Sequence, residues 1–200
     1  MSWLAKTIFF ILGWKIVGNL PDQKKFVVII APHTSNWDFF MFILVKFACK
    51  IKVCFIGKHT IFIGPIGWLL KRLGGIPVER SSSHNVVDTI VSEFSKRDTM
   101  IFALSPEGTR SYLDHWKSGF YHIARKANVP VVTAFLDTST KTIGWGPLFE
   151  MTDNKHKDLD KIRLFFMPTG WRPQDVIDKY PIDFYKTASE QVKYTSNPST

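Results

Sequence analysis

The sequence predicts a single α/β domain with a largely parallel central sheet flanked by helices. Short apolar runs rich in β-branched residues alternate with helical segments along most of its 200 residues, a pattern typical of parallel sheets. The length suits one domain, and 45% hydrophobic residues are enough for a sizeable core. In this architecture, active residues gather at the carboxyl ends of the strands.

The elements follow one another in a regular order. An N-terminal helix is predicted within residues 1–18, followed by a main domain over 19–195 and a flexible tail over 196–200. Strands are predicted at 26–31, 52–56, 75–79, 100–104, 129–136 and 162–167. Helices are predicted over 39–45, 61–74, 85–97, 119–126 and 184–194, with Asn128 ending the fourth of them.

The N-terminal helix carries two tryptophans and an apolar run between Lys6 and Lys15. The run is too short to span a bilayer and lacks a clear signal-peptide cleavage site. It fits a helix that dips into one leaflet, or one that packs on the domain's own core. The segment from Ile61 to Leu73, with a basic tip, leaves the same two possibilities open.

The chain is basic, with 26 Lys and Arg against 17 Asp and Glu. A net charge of +9 favours anionic headgroups, phosphate-bearing cofactors, an acidic carrier protein or nucleic acid. No nucleic-acid-binding motif or dense Lys/Arg run is present, which argues against nucleic acid. Cys49 and Cys54 form a poor zinc pair, and the six His show no metal-ligand spacing. We therefore expect reduced thiols, no metal and a cytosol-facing protein.

His33 and Asp38 stand five residues apart, directly after the first predicted strand. An acid at this spacing can hold one imidazole nitrogen and leave the other to accept a proton. The non-catalytic alternative is that Ser35 and Asp38 form a helix-capping pair beside a surface histidine.

Four motifs occur in one order between residues 33 and 133. They are His33 to Asp38, then Gly75-Ile76-Pro77-Val78-Glu79-Arg80, then Pro106-Glu107-Gly108-Thr109-Arg110, then Val129-Pro130-Val131-Val132. Together they resemble the signatures of the glycerolipid acyltransferase family, which includes lysophosphatidic acid acyltransferases. Ser105 stands where that family usually has Phe, and Thr133 where many members have Pro.

The resemblance implies a role for each motif residue. His33 is the expected general base and Asp38 its orienting acid, with the substrate's own hydroxyl as nucleophile. Arg80 and Arg110 are expected to hold an acceptor phosphate, although most arginines are only surface charges. Glu107, Gly108 and Thr109 resemble the acceptor-binding part of the third motif, and Lys58 resembles a lysine near the acyl donor.

The predicted function is therefore membrane-associated O-acyl transfer from acyl-CoA or acyl carrier protein to 1-acyl-glycerol-3-phosphate. Both donors are substrates, so no cofactor is expected. Membrane lipids are the expected partners, at the cytosolic face. Two alternatives stay open: the same chemistry on another acceptor such as a lyso amino-acid lipid, and a catalytically silent basic protein that binds membranes.

Overall fold

The computed structural model describes residues 2–31, 37–79, 83–107, 116–138 and 140–166. Its helices are α1 (Ser2–Ile11), α2 (Trp37–Ala48), α3 (Gly64–Arg72), α4 (Ser83–Lys96), α5 (Gly119–Ala127) and α6 (Lys155–Phe166). Its strands are β1 (Lys15–Val17), β2 (Lys25–Ala31), β3 (Val53–Lys58), β4 (Gly75–Val78), β5 (Met100–Leu104), β6 (Val131–Asp137) and β7 (Thr142–Phe149). A 3₁₀ turn over His59–Ile61 joins β3 to α3.

The seven strands form one sheet in the order β1-β7-β6-β2-β5-β3-β4. The five strands from β6 to β4 are mutually parallel, while β7 runs antiparallel to β6 and pairs in parallel with β1. The predicted α/β architecture with a largely parallel sheet is thus confirmed. β2 is the central strand of the seven-stranded sheet and lies between two parallel neighbours, where strands buried on both faces are continuously apolar.

Alternate residues of β2 point into two cores on opposite faces of the sheet. Val27 and Ile29 belong to a core that includes residues of α4, α5 and α6. Phe26 and Val28 face the other side, where Phe42 of α2 packs. Ala5 and Phe9 attach α1 to the buried side of α2. The protein therefore has three layers: α1, α2 and α3 on one face of the sheet, and α4, α5 and α6 on the other.

Three features differ from the predicted elements. α1 ends at Ile11 because Gly13 adopts a φ of 71°, and Lys15–Val17 forms an edge strand rather than the end of a helix. β7 was not predicted. The strand predicted at 162–167 is wrong, because residues up to Phe166 belong to α6. The predicted helix over 184–194 and the tail lie outside the described residues.

Phe62 fastens the 3₁₀ turn and α3 to the sheet. Its ring lies where side chains on Gly57 of β3 and Gly75 of β4 would otherwise stand. Gly67 of α3 passes directly over the Phe62 backbone, and a Cβ there would overlap the Phe62 carbonyl group. The contact depends on glycine for space rather than for an unusual backbone angle.

We expect Gly67→Ala to lower the free energy of unfolding by about 1–3 kcal/mol, because the added methyl overpacks a rigid contact. Gly119→Ala is the matched control, since a Cβ at this helical position meets nothing within 4 Å. Denaturant unfolding measures both. An equal, small effect of the two substitutions would contradict the proposed close packing of α3.

Candidate active site

The carboxyl ends of four neighbouring strands carry the predicted site residues or lead into them. β2 and β5 are paired in parallel, with Ile29 opposite Leu104 near their ends. β5 pairs with β3, and β3 pairs with β4. Parallel strands end on the same edge of a sheet, so the four segments that follow them leave that edge side by side.

Asp38 lies in the first turn of α2, the helix that follows β2. Its side chain is partly buried and lines a cleft that extends over both faces of the sheet and includes the carboxyl ends of β3 and β5. The position of α2 is set by aromatic packing: Phe39 and Phe42 lie with their ring centroids 5.4 and 5.8 Å from that of Phe55 on β3. A partly buried carboxylate on a well-packed helix is suited to orienting a neighbouring base.

Glu107 is buried, with 7% of its surface exposed, just beyond the end of β5. The backbone N–H of Lys117 donates to the carbonyl of Pro106 at 2.8 Å, which brings the two ends of segment 108–115 together. Trp116, at the second of these ends, makes edge contacts with the rings of Phe120 and Phe166, at centroid distances of 6.3 and 5.3 Å. Glu107 therefore directly precedes segment 108–115 and lies beside the hydrogen bond that joins the residues flanking this segment.

Lys58 is the last residue of β3, and its side chain is exposed. It lines the same cleft as Asp38, together with Ser105 at the end of β5. Ser105 Oγ is buried and has no hydrogen-bond partner within the described part of the chain. The structure thus brings Asp38, Lys58 and the β5 end to one cleft.

The other five predicted site residues, His33, Arg80, Gly108, Thr109 and Arg110, lie outside the described residues. Their chain positions still fix where they start: His33 comes two residues after β2 ends, and Arg80 two residues after β4 ends. Gly108 directly follows Glu107.

The spacing between strands determines how far apart these segments leave the sheet. Adjacent strands lie about 4.8 Å apart, so across the sheet β5 is about 5 Å from β2, whereas β4 is about 14 Å from it. The segments holding His33 and Arg110 therefore start from neighbouring strands, and the one holding Arg80 starts three strands away.

The sequence patterns missed Arg163, which lines the same cleft from α6. Only 9% of its surface is exposed, and it forms an ion pair with Asp160 at 3.7 Å. Lys117, two residues before α5 begins, also lines the cleft. No local signal marks Arg163 as a cleft residue, because α6 is positioned by its contacts with β6 and β7.

The apolar side of the cleft contains one structural cation. Lys46 of α2 donates to the carbonyls of Val53, at 3.1 Å, and of Leu73. Burial lowers the pKa of this amine from its ordinary value by disfavouring the charged form. These bonds tie α2 to β3 and to the end of α3, so we assign Lys46 to holding the helices that form the cleft.

The α/β sheet therefore carries one acid after its central strand and a buried acid after the neighbouring parallel strand. The chain belongs to the Acyltransferase family, whose model matches residues 15–137. That match spans β1 to β6 and every predicted site residue. The family predicted from the four motifs is confirmed.

Curated relatives are named 1-acyl-sn-glycerol-3-phosphate acyltransferase. The Saccharomyces cerevisiae protein is 30% identical over 64% of this chain, and the Escherichia coli protein is 28% identical over 66%. The chain spans about half the length of these relatives, 45% and 57% respectively. The crystal structure of PlsC from Thermotoga maritima, an LPA acyltransferase, is similar to this chain with a TM-score of 0.56. The match covers all of this chain and 80% of the PlsC chain. At 18% identity, this likeness establishes the fold alone.

Proposed function

We propose that the protein is an O-acyltransferase that moves a fatty acyl group from a thioester donor to a lysophospholipid acceptor. The observation that carries this proposal is the pairing of β2 with β5. It makes the His33–Asp38 segment and the Glu107–Arg110 segment leave the sheet as neighbours. A base and a phosphate-binding group can then act on one acceptor molecule.

In the proposed mechanism, His33 takes the proton of the acceptor hydroxyl while the hydroxyl oxygen attacks the thioester carbonyl carbon. The tetrahedral intermediate collapses, the carbon–sulfur bond breaks, and the imidazolium returns its proton to the leaving thiolate. Asp38 orients the imidazole and stabilises its charged form. An ester and a free thiol are the products, so the step requires no cofactor or metal.

The favoured acceptor is 1-acyl-glycerol-3-phosphate, supported by the names of the relatives and by the Arg110 motif. Glu107 accepts a hydrogen bond from a glycerol hydroxyl, and Gly108 and Thr109 lie beside it in the chain. Acyl-CoA and acyl carrier protein both supply a thioester, and Lys58, an exposed cation that lines the cleft, is the proposed contact for either. A lyso amino-acid lipid is the second candidate acceptor, left open by Ser105 and Thr133 at positions where the motifs depart from the family pattern.

The deciding experiment is an acyl-transfer assay with labelled acyl-CoA and a panel of lyso-lipids, repeated with acyl carrier protein. We expect ester formation on 1-acyl-glycerol-3-phosphate to exceed that on phosphate-free acceptors. Transfer to a lyso amino-acid lipid alone would replace the acceptor and keep the chemistry. Membrane binding without any transfer would instead identify a silent membrane-binding protein.

We also propose that α1 attaches the protein to the cytosolic leaflet. Ala5 and Phe9 face α2, whereas Trp3, Phe10 and Ile11 are exposed on its other side. Within the described residues, no helix is long and apolar enough to cross a membrane. An exposed apolar stripe on a short helix is suited to lying in the membrane interface.

The double substitution Trp3→Ser and Phe10→Ser should weaken binding to anionic vesicles by about tenfold or more, since two large apolar groups no longer insert. Vesicle co-sedimentation measures the effect. Folding should be preserved because Ala5 and Phe9 still hold α1 on α2, which circular dichroism checks. Unchanged vesicle binding would mean that α1 serves only to cover α2.

A further inference from the structure

Among the described residues, exposed large apolar side chains are confined to the α1–α2–α3 layer, its connections and the edge strand β1. Among the described residues, all fourteen large hydrophobic side chains that are exposed lie between Trp3 and Leu69. They belong to α1, β1, α2, the 3₁₀ turn, α3 and the residues joining them. None lies on the described parts of α4, α5 or α6, which cover the opposite face of the sheet. Scattered surface hydrophobics would not segregate in this way.

The most exposed group beyond α1 is the patch formed by Ile61, Ile63, Ile66 and Trp68, here called the α3 patch. Ile63, Ile66 and Trp68 expose 74%, 69% and 64% of their surfaces. Trp37 and Phe40 at the start of α2 are also exposed. Ile61 and Phe40 line the same cleft as Asp38, so the α3 patch reaches the rim of the candidate active site.

The exposure of the α3 patch is fixed by the fold. Phe62, between Ile61 and Ile63, is buried among the glycines of β3, β4 and α3 described above. The segment is therefore held firmly by one inward side chain while its neighbours point outward. A rigidly held apolar patch is suited to a permanent contact with an apolar medium.

The distribution of charged residues indicates which apolar environment the α3 patch contacts. The first 79 residues carry ten Lys and Arg against three Asp and Glu, so seven of the nine net positive charges lie in this part of the sequence. Lys71 and Arg72 end α3, and the Arg72 guanidinium lies 5.7 Å from the centre of the Trp68 ring. Exposed tryptophan and isoleucine bordered by cations match an anionic bilayer, where apolar groups insert and cations meet headgroups.

We infer that the whole α1–α2–α3 layer faces an anionic bilayer and that the α3 patch is a second insertion point besides α1. Two separate insertion points fix the orientation of the sheet against the membrane, which one helix alone does not do. The rim of the cleft, with Ile61 and Phe40, then opens at headgroup depth. This inference deepens the membrane attachment in the proposed function, but it does not depend on acyl transfer.

The test measures partition of the full chain into vesicles of phosphatidylcholine with phosphatidylglycerol. Ile63→Ser with Ile66→Ser should weaken partition by about tenfold or more, because two exposed apolar groups are lost from the interface. Lys71→Gln with Arg72→Gln should weaken it by a similar factor, and less at high salt. The matched control is Lys157→Gln with Lys161→Gln, which removes the same charge from exposed positions of α6 on the opposite layer. It should change partition less than about threefold.

Three outcomes would overturn the inference. The first is unchanged partition of the Ile63/Ile66 variant, and the second is equal weakening by the two charge pairs. The third is a loss of self-association in gel filtration with partition unaffected, which would make the α3 patch a contact between copies of this chain. Circular dichroism and the thermal transition check that each variant is folded. Acyl transfer to a short-chain, water-soluble acceptor is followed in parallel, so that a failure of the proposed chemistry is separated from a failure of docking.

Discussion

His33→Ala should reduce acyl transfer by about 10²–10⁴-fold, because the acceptor hydroxyl then loses its general base. The substitution should leave the fold unchanged. β2 before it is held on both sides by β5 and β6, and α2 after it is fixed by Phe39 and Phe42. Steady-state rates at saturating donor and acceptor measure the loss, since base catalysis acts on the chemical step more than on binding.

Asp38→Asn is the companion substitution, because it keeps the size of the side chain and removes its charge. The imidazolium formed in the transition state loses its negative partner, so turnover should fall severely while vesicle binding stays the same. Full activity of the His33 variant would rule out the proposed mechanism. Loss of vesicle binding in the Asp38 variant would indicate a structural role for this carboxylate.

The parallel strands were predictable because they are short apolar runs rich in β-branched residues, as in the Phe26 to Ala31 run. β7 escaped prediction because Gly144, Gly146 and Pro147 break that pattern. In the structure, Gly144 makes room for the Phe135 ring, and Gly146 for the side chains of Thr133 and Phe165. These glycines fit side chains of distant elements, so their role cannot be read from local sequence.

α6 carried a signal that was available in the sequence. Asn154 Oδ1 accepts a hydrogen bond from the backbone N–H of Lys157 at 3.1 Å, an N-cap placed just before Lys155. Weighing that cap would have favoured a helix over the strand suggested by Ile162 to Met167. The end of α1 carried a similar signal in Gly13, whose left-handed conformation lets the chain turn into β1.

The candidate site also contains some residues that local sequence predicts and others that it does not. The motif spacing identified Asp38 and Glu107, and the strand order places both at the same edge of the sheet. Arg163 and Trp116 line the cleft through contacts between distant elements, which no local pattern encodes: α6 lies on β6 and β7, and Trp116 packs against Phe120 and Phe166. Local sequence patterns therefore predict candidate site residues, but not the residues that shape the cleft around them.

Arg110→Ala should raise the KM for a phosphorylated acceptor by about 10- to 150-fold, because one charge-assisted contact contributes about 1.5–3 kcal/mol. The donor KM should change much less. The strand order predicts that Arg80→Ala has a smaller effect on the same acceptor. In 1-acyl-glycerol-3-phosphate only a few bonds separate the reacting hydroxyl from the phosphate. Arg110 follows a strand next to that of His33, whereas the strand before Arg80 lies about 14 Å from β2 across the sheet.

Acceptors with and without phosphate separate a binding role for Arg110 from a general structural one. If Arg110 holds the phosphate, its loss should leave transfer to a phosphate-free lyso-lipid nearly unchanged and remove most of the preference between the two acceptors. Arg110→Lys should recover part of the affinity, since the charge returns without the bidentate geometry of the guanidinium. An equal loss on both acceptors would assign Arg110 to maintaining the loop after β5. A larger effect of Arg80 than of Arg110 would place the acceptor phosphate on the β4 side of the cleft.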